Sequence, residues 1–163
     1  MRSIAERSRA VRLLVSPGPS ARPVYEDVSA RPTANGGWVL DASPGLALGT
    51  AAGDVVEVDR DGTFRVISRA GNVAVHVGAA AAANSQRAAL TKAIRALGGW
   101  LDGIGWTRDG ANSLSVYTIP VAAGFPAIQG ALAAFSSAAP GSEWYYANVY
   151  DPADDKTPLN WWL

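Results

Sequence analysis

The sequence predicts an α+β protein, a small antiparallel β module followed by a ferredoxin-like βαββαβ sandwich. Three observations carry that expectation. Up to Ala70-Gly71, short β-branched runs alternate with turn signals; residues 72–150 read strand, helix, strand, strand, helix, strand; and each of the two helical segments has one apolar stripe. With 163 residues, 48% of them hydrophobic, the chain is long enough to bury a core without disulfides or metal. The predicted division is a basic N-terminal arm (1–22), a β-rich module (23–70), the ferredoxin-like half (71–150) and a docked C-terminal tail (151–163).

In the first 31 residues, Arg2, Arg7, Arg9, Arg12, Arg22 and Arg31 outweigh Glu6, Glu26 and Asp27. Such a charge excess at a terminus predicts a solvated, partly disordered arm. Val24 to Arg31 reads as a strand, followed by a turn whose Asn35-Gly36 pair tolerates positive φ, then by Trp38 to Leu40. After a glycine-spaced loop over 43–53, Asp54–Val58 and Thr63–Ile67 flank Asp59-Arg60-Asp61-Gly62. This is the strongest hairpin in the chain, β-branched alternation on both sides of an Asp/Gly turn. Together these strands predict a small sheet or a partly closed barrel.

Past Gly71, Val73, Val75 and Val77 share one face of a strand and His76 the other. Asn84-Ser85 opens a helix with Leu90, Ile94 and Leu97 on one side, and Gly98-Gly99 stops it. Two strands, Trp100–Trp106 and Ser113–Ile119, follow around a turn, with Trp100, Ile104 and Trp106 expected on one face. Pro126 starts a second helix carrying Ile128, Leu132 and Phe135. Glu143 to Tyr150 is a last aromatic strand, with Trp144, Tyr146 and Tyr150 on one face. The end of the chain, Trp161-Trp162-Leu163, is expected to dock on the body, since exposing a large apolar side chain forfeits roughly 1.5–3 kcal/mol.

From Val24 to Val77, the Gly53-Asp54-Val55-Val56 turn and the run Val66-Ile67-Ser68-Arg69-Ala70-Gly71 resemble a bacterial domain-of-unknown-function family. The resemblance spans about residues 11–150 and implies an N-terminal β module with a C-terminal βαββαβ half. Two positions depart from the family pattern: Asn72, where a histidine is expected after the junction glycine, and Val28, where an aromatic is usual. The family has no assigned chemistry, so the resemblance implies architecture and no site.

The residues argue against several chemistries. Cysteine is absent, which removes disulfides, thiolate nucleophiles and sulfur-ligated zinc. The acidic sets Glu57/Asp59/Asp61 and Asp151/Asp154/Asp155 lack the spacing of a calcium loop, and the first reads as a hairpin turn. There is no Gly-x-Ser-x-Gly, no Gly-Lys-Ser/Thr phosphate loop and only one histidine, His76, which reads as a packing or surface residue. The expectation is therefore a non-enzyme with no cofactor and no metal. Zero net charge argues against nucleic acid as partner. No apolar run approaches the ~20 residues that would span a membrane. Arg7, Arg9 and Arg12 interrupt any secretory signal, so the cytoplasm is the expected compartment.

Six tryptophans and five tyrosines are more ring surface than two alanine-rich helices can cover. The β module can hide part of it, and tryptophan and tyrosine are also the residues that anchor protein interfaces. The expected function is thus binding of another protein, most concretely an immunity- or antitoxin-type inhibitor covering a toxin. Trp144, Tyr146, Tyr150, Trp161 and Trp162 are the expected contact residues. Two rival expectations are a nucleic-acid module using the ferredoxin-like sheet and the arginine-rich N-terminus, and a small enzyme or ligand-binding domain with a cleft between the two halves, which a pocket joining His76 to Glu57 or Glu143 would favour.

Overall fold

The computed structural model describes residues 7–17 and 22–163. Of the expected arm, residues 1–6 and 18–21 lie outside the described residues. Arg9–Pro17 is no arm but the first strand, β1. The reason lies in its alternation: Val11 and Leu13 are buried while Ala10 and Arg12 face out, a period-two pattern that the arginine count concealed, and Arg9 lies exposed at the strand's first position. β1 pairs with β2 (Pro23–Pro32), placing Val11 opposite Val28. β3 (Trp38–Leu40), β4 (Val55–Val58) and β5 (Phe64–Ser68) complete a five-stranded antiparallel meander in chain order.

Both predicted hairpin turns are present. At Gly36 φ is +82° and the Thr33 amide donates to the Gly37 carbonyl at 2.8 Å. In the β4–β5 turn, Asp61 accepts the Thr63 amide at 2.9 Å, the local bond that makes Asp-x a turn former. The meander curls into a partly open barrel. The Leu14 amide on β1 donates to the Gly62 carbonyl at 2.8 Å, but no strand ladder joins β1 to β5. Val11, Leu13, Val28, Ala30, Leu40, Ala47 and Val56 fill its interior.

The second half is β6 (Asn72–Ala80), α1 (Asn84–Ala96), β7 (Trp100–Trp106), β8 (Asn112–Pro120), α2 (Phe125–Ala138) and β9 (Glu143–Tyr146). Its strands lie in the order β7-β8-β6-β9, every neighbour antiparallel, which is the ferredoxin-like arrangement that the element order predicts. Leu90 and Ile94 from α1 and Ile128, Leu132 and Phe135 from α2 cover Val73, Val75, Val77, Tyr117 and Ile119. These stripes recur at helical spacing and meet a sheet face of period-two apolar residues, so each hides the other.

The last strand stops at Tyr146, four residues short of the expected end. Past it, the Asn148 side chain takes over the ladder: its Oδ1 accepts the Ala74 amide at 2.9 Å and its Nδ2 donates to the Asn72 carbonyl at 2.8 Å. Tyr150 consequently leaves the face of Trp144 and Tyr146 and bridges to Pro158 in the tail. The tail docks as expected. Trp161 Nε1 donates to the Asn148 carbonyl at 2.7 Å, and Trp161 and Trp162 pack on the helix-side core. Trp161→Phe keeps the ring but leaves that carbonyl short of a donor, so it is expected to lower stability by about 1–2 kcal/mol in urea unfolding.

Candidate functional site

The loop between β3 and β4 wedges between the two halves and covers the sheet face opposite the helices. Glu26, from β2, holds the loop by accepting three successive amides, from Gly45 (2.6 Å), Leu46 (2.9 Å) and Ala47 (2.8 Å). On the other side the loop meets the ferredoxin-like sheet. The Ser43 and Thr118 hydroxyls lie 2.6 Å apart, and the Asn72 Nδ2 donates to the Ala52 carbonyl at 2.8 Å. Ala51, Ala74 and Ala147 form a buried small-residue contact there.

Asp54, from the Gly-Asp-Val-Val turn, is the buried anchor of this seam. It accepts the Ala51 amide (3.0 Å), the Ala70 amide (2.9 Å) and the Thr50 hydroxyl (3.1 Å), with Arg69 Nη1 at 3.4 Å. Burial pushes its carboxyl above the usual range, against the opposing pull of those amides and Arg69. Arg69 also donates to the Gly49 carbonyl at 2.7 Å and lies over the Trp161 ring. One ion pair thus ties the loop, the junction and the tail.

His76 sits in the same seam, fully buried. Its Nε2 faces the Pro44 carbonyl at 2.8 Å, which accepts only, so Nε2 carries the proton and Nδ1 accepts from the Tyr145 hydroxyl at 2.8 Å. Both ring nitrogens are engaged in holding the halves together. The nearest carboxylate influence comes from Glu26, not from Glu57, which pairs with Arg65, or Glu143 at the start of β9. Ser43, engaged by Thr118 and by the Ala52 amide, has no histidine as base. Among the described residues no three His, Cys, Asp or Glu side chains gather as metal ligands.

Burial lowers the His76 pKa below its usual 6.5, outweighing the Pro44 carbonyl and Glu26. Above pH 6.5 both folded and unfolded chains hold the ring neutral. Below it the unfolded chain takes the proton first, so stability falls with pH, by up to about 1.4 kcal/mol per unit, until the folded ring is protonated too. Asp54 and Asp102, both raised by burial, act in the opposite sense as acid is added. The His76 contribution is therefore read as a difference. Urea midpoints are expected to diverge between wild type and His76→Gln at pH 7.5 and to converge toward pH 5.5.

The expected contact rings lie mostly inside the monomer's own packing. Trp144–Tyr146, Tyr146–Phe125, Phe125–Trp162 and Trp162–Trp161 form a chain of edge-to-face contacts with centroids 5.3–5.6 Å apart. Such pairs stabilise by about 0.5–1.5 kcal/mol beyond area burial, enough to fasten the tail. Trp144, Tyr146, Trp161 and Trp162 are half-buried against the helices, and only Tyr150 of the five is exposed.

The rings that stay open are on β7. Trp100 and Ile104 are each 38% exposed and Trp106 is 46% exposed. They do not share a face as the alternation predicts, because a bulge between Leu101 and Gly103 adds Asp102 as an extra residue. Trp100 faces the loop side opposite Thr118, while Ile104 and Trp106 fall on the helix side opposite Ser115 and Ser113. The bulge has a cause: Asp102 accepts the Thr118 hydroxyl and, at 2.9 Å, Trp100 Nε1, which turns its carboxylate inward. Arg87 of α1 lies 5.1 Å over the Trp106 ring and reaches Ser113.

β7 is an edge strand, and its backbone is open. A Cβ placed at Gly103 or Gly105 would meet nothing within 4 Å. Edge strands are normally blunted by an outward charge, lysine or proline. β1 carries Arg9 and Arg12, β5 carries Arg65 and β9 carries Glu143, all exposed, whereas the only charge of β7 is the inward Asp102. A separate cleft of about 480 Å³ opens between β1, β5 and the tail, walled by Leu14, Val15, Phe64, Val66 and Leu159 with Arg69 beside them. Its lining takes in the β3–β4 loop as well but not His76.

A partly open β-meander barrel clasped to the loop face of a ferredoxin-like sandwich defines this as a two-module α+β protein. The chain belongs to the family described as a domain of unknown function, DUF4265, whose model matches residues 26–142. It is similar in fold to a hypothetical protein from Neisseria gonorrhoeae of known crystal structure. That likeness has a TM-score of 0.61 at 20% identity, covering 85% of this chain and 94% of the other. None of the curated proteins matches it. No helix among the described residues is long and apolar enough to cross a membrane.

Proposed function

We propose that the protein binds another protein and acts by occupying its surface, without catalysis, as an immunity- or antitoxin-type inhibitor does. The observation that carries this reading is the uncharged edge of β7, which presents unpaired backbone groups between Trp100 and Trp106. Strand addition at such an edge supplies affinity through main-chain bonds, and flanking aromatic rings supply the anchors. The satisfied state of His76 and Ser43 supports a non-catalytic role. We place the protein in the cytoplasm, the compartment that the sequence leads us to expect.

The rival nucleic-acid reading needs an open sheet face on which bases stack. The loop from β3 to β4 covers that face here, which favours the protein-binding reading. The test is co-purification from the native host with three chains: wild type, Ile104→Glu and Tyr150→Ala. Ile104→Glu puts a charge on the open edge and is expected to lose a stoichiometric protein partner that wild type and Tyr150→Ala retain. Equal recovery with Ile104→Glu, or RNA in place of protein, contradicts the reading.

A further inference from the structure

Resting on the reading of β7 as the contact edge, we propose that its occupant is an extended acidic segment of the partner, added as a fifth strand alongside β7. The charge pattern beside the edge argues for it. The helix that flanks β7 is α1, and it carries Arg87, Lys92 and Arg95 with no acidic residue at all. Arg87 already lies at the edge, over Trp106 and bonded to Ser113. Arg95 lies near enough to Tyr117, the β8 residue paired with Leu101 of β7, to act on its hydroxyl electrostatically.

Beyond Trp106, the turn holds Arg108, exposed, while Asp109 is occupied by the Thr107 hydroxyl and the Ala111 amide. The edge therefore has one cationic flank and, on Gly103 and Gly105, no side chain to obstruct an approaching backbone. A strand laid there brings alternate side chains toward the α1 side, where acidic groups meet cations that no carboxylate among the described residues pairs. A second copy of this chain would bring the same cations against themselves if it paired edge to edge, since a twofold contact repeats its own patch. Complementarity thus selects a partner of opposite charge.

Two synthetic peptides of about nine residues test this, one alternating valine with glutamate and one alternating valine with lysine. Binding is read by tryptophan fluorescence and by amide exchange over residues 100–106, in wild type and in an Arg87→Gln/Arg95→Gln variant. The proposal expects the glutamate peptide to bind at least about tenfold more tightly than the lysine peptide, to slow exchange in β7, and to lose that preference in the double variant. Equal binding of both peptides, or preference for the lysine peptide, overturns the acidic occupant while leaving the edge reading in place. Failure of both peptides to slow exchange in β7 also overturns it, and co-purification with Ile104→Glu then decides the edge reading by itself. Dimerisation through β7, or tight binding of oligouridylate in place of the peptide, overturns it as well.

Discussion

Asp54→Ala is expected to be the most damaging single change at the seam, costing about 3–5 kcal/mol. The substitution leaves the Ala51 and Ala70 amides without their acceptor and strands the Arg69 guanidinium, three-quarters buried, beside a missing charge. A buried group whose partner is removed suffers its full desolvation cost, which is far larger than the net worth of the bond itself. Because Arg69 also holds Gly49 and covers Trp161, the loss should spread from the loop to the tail. Urea unfolding should show a lower midpoint, and limited proteolysis should cut first in residues 43–53 and 151–163. Asp54→Asn, which keeps size and an acceptor oxygen, should recover part of the stability. An unchanged midpoint for Asp54→Ala would mean that the seam is held elsewhere.

Gly99→Ala should be nearly as costly, about 3 kcal/mol, although it adds only one methyl group. A Cβ there would lie 2.6 Å from the Thr118 carbonyl and 2.8 Å from Ile94 Cγ2, distances that only a backbone shift can relieve. Gly99 receives the chain from α1 and hands it to β7, and its amide bonds the Ile94 carbonyl at 2.9 Å. The displaced element would therefore be the edge strand itself. The variant should lose stability and partner binding together, whereas Gly105→Ala, which meets open space, should leave stability near wild type. Thermal unfolding of the two alanine variants reads this contrast directly.

The second half was legible in the sequence because each of its elements repeats a period: valines two apart in β6, apolar residues three and four apart in α1 and α2. β1 was hidden by composition. Its Arg12 belongs to the outward half of an alternation whose inward half is Val11 and Leu13, and only pairing with β2 makes that visible. The face of Trp100 was equally out of reach, because the bulge at Asp102 depends on a hydroxyl from Thr118, sixteen residues on. Trp144, Tyr146 and Tyr150 share a face by strand parity, and Trp161 and Trp162 are adjacent indoles in the tail, which is all that the sequence says of the five expected contact rings. Four of them belong to a cluster built around Phe125 of α2, a contact between distant segments that spacing cannot show. That His76 lies on the face opposite Val73, Val75 and Val77, by contrast, followed from its parity in β6.

If β7 is the recognition edge, hydrogen exchange measured across the whole chain, with and without the co-purified partner, isolates it. Slowed exchange concentrated in residues 100–106, with residues 144–163 unchanged, is the predicted result. Protection of residues 144–163 while residues 100–106 exchange as freely as in the isolated protein would contradict the account.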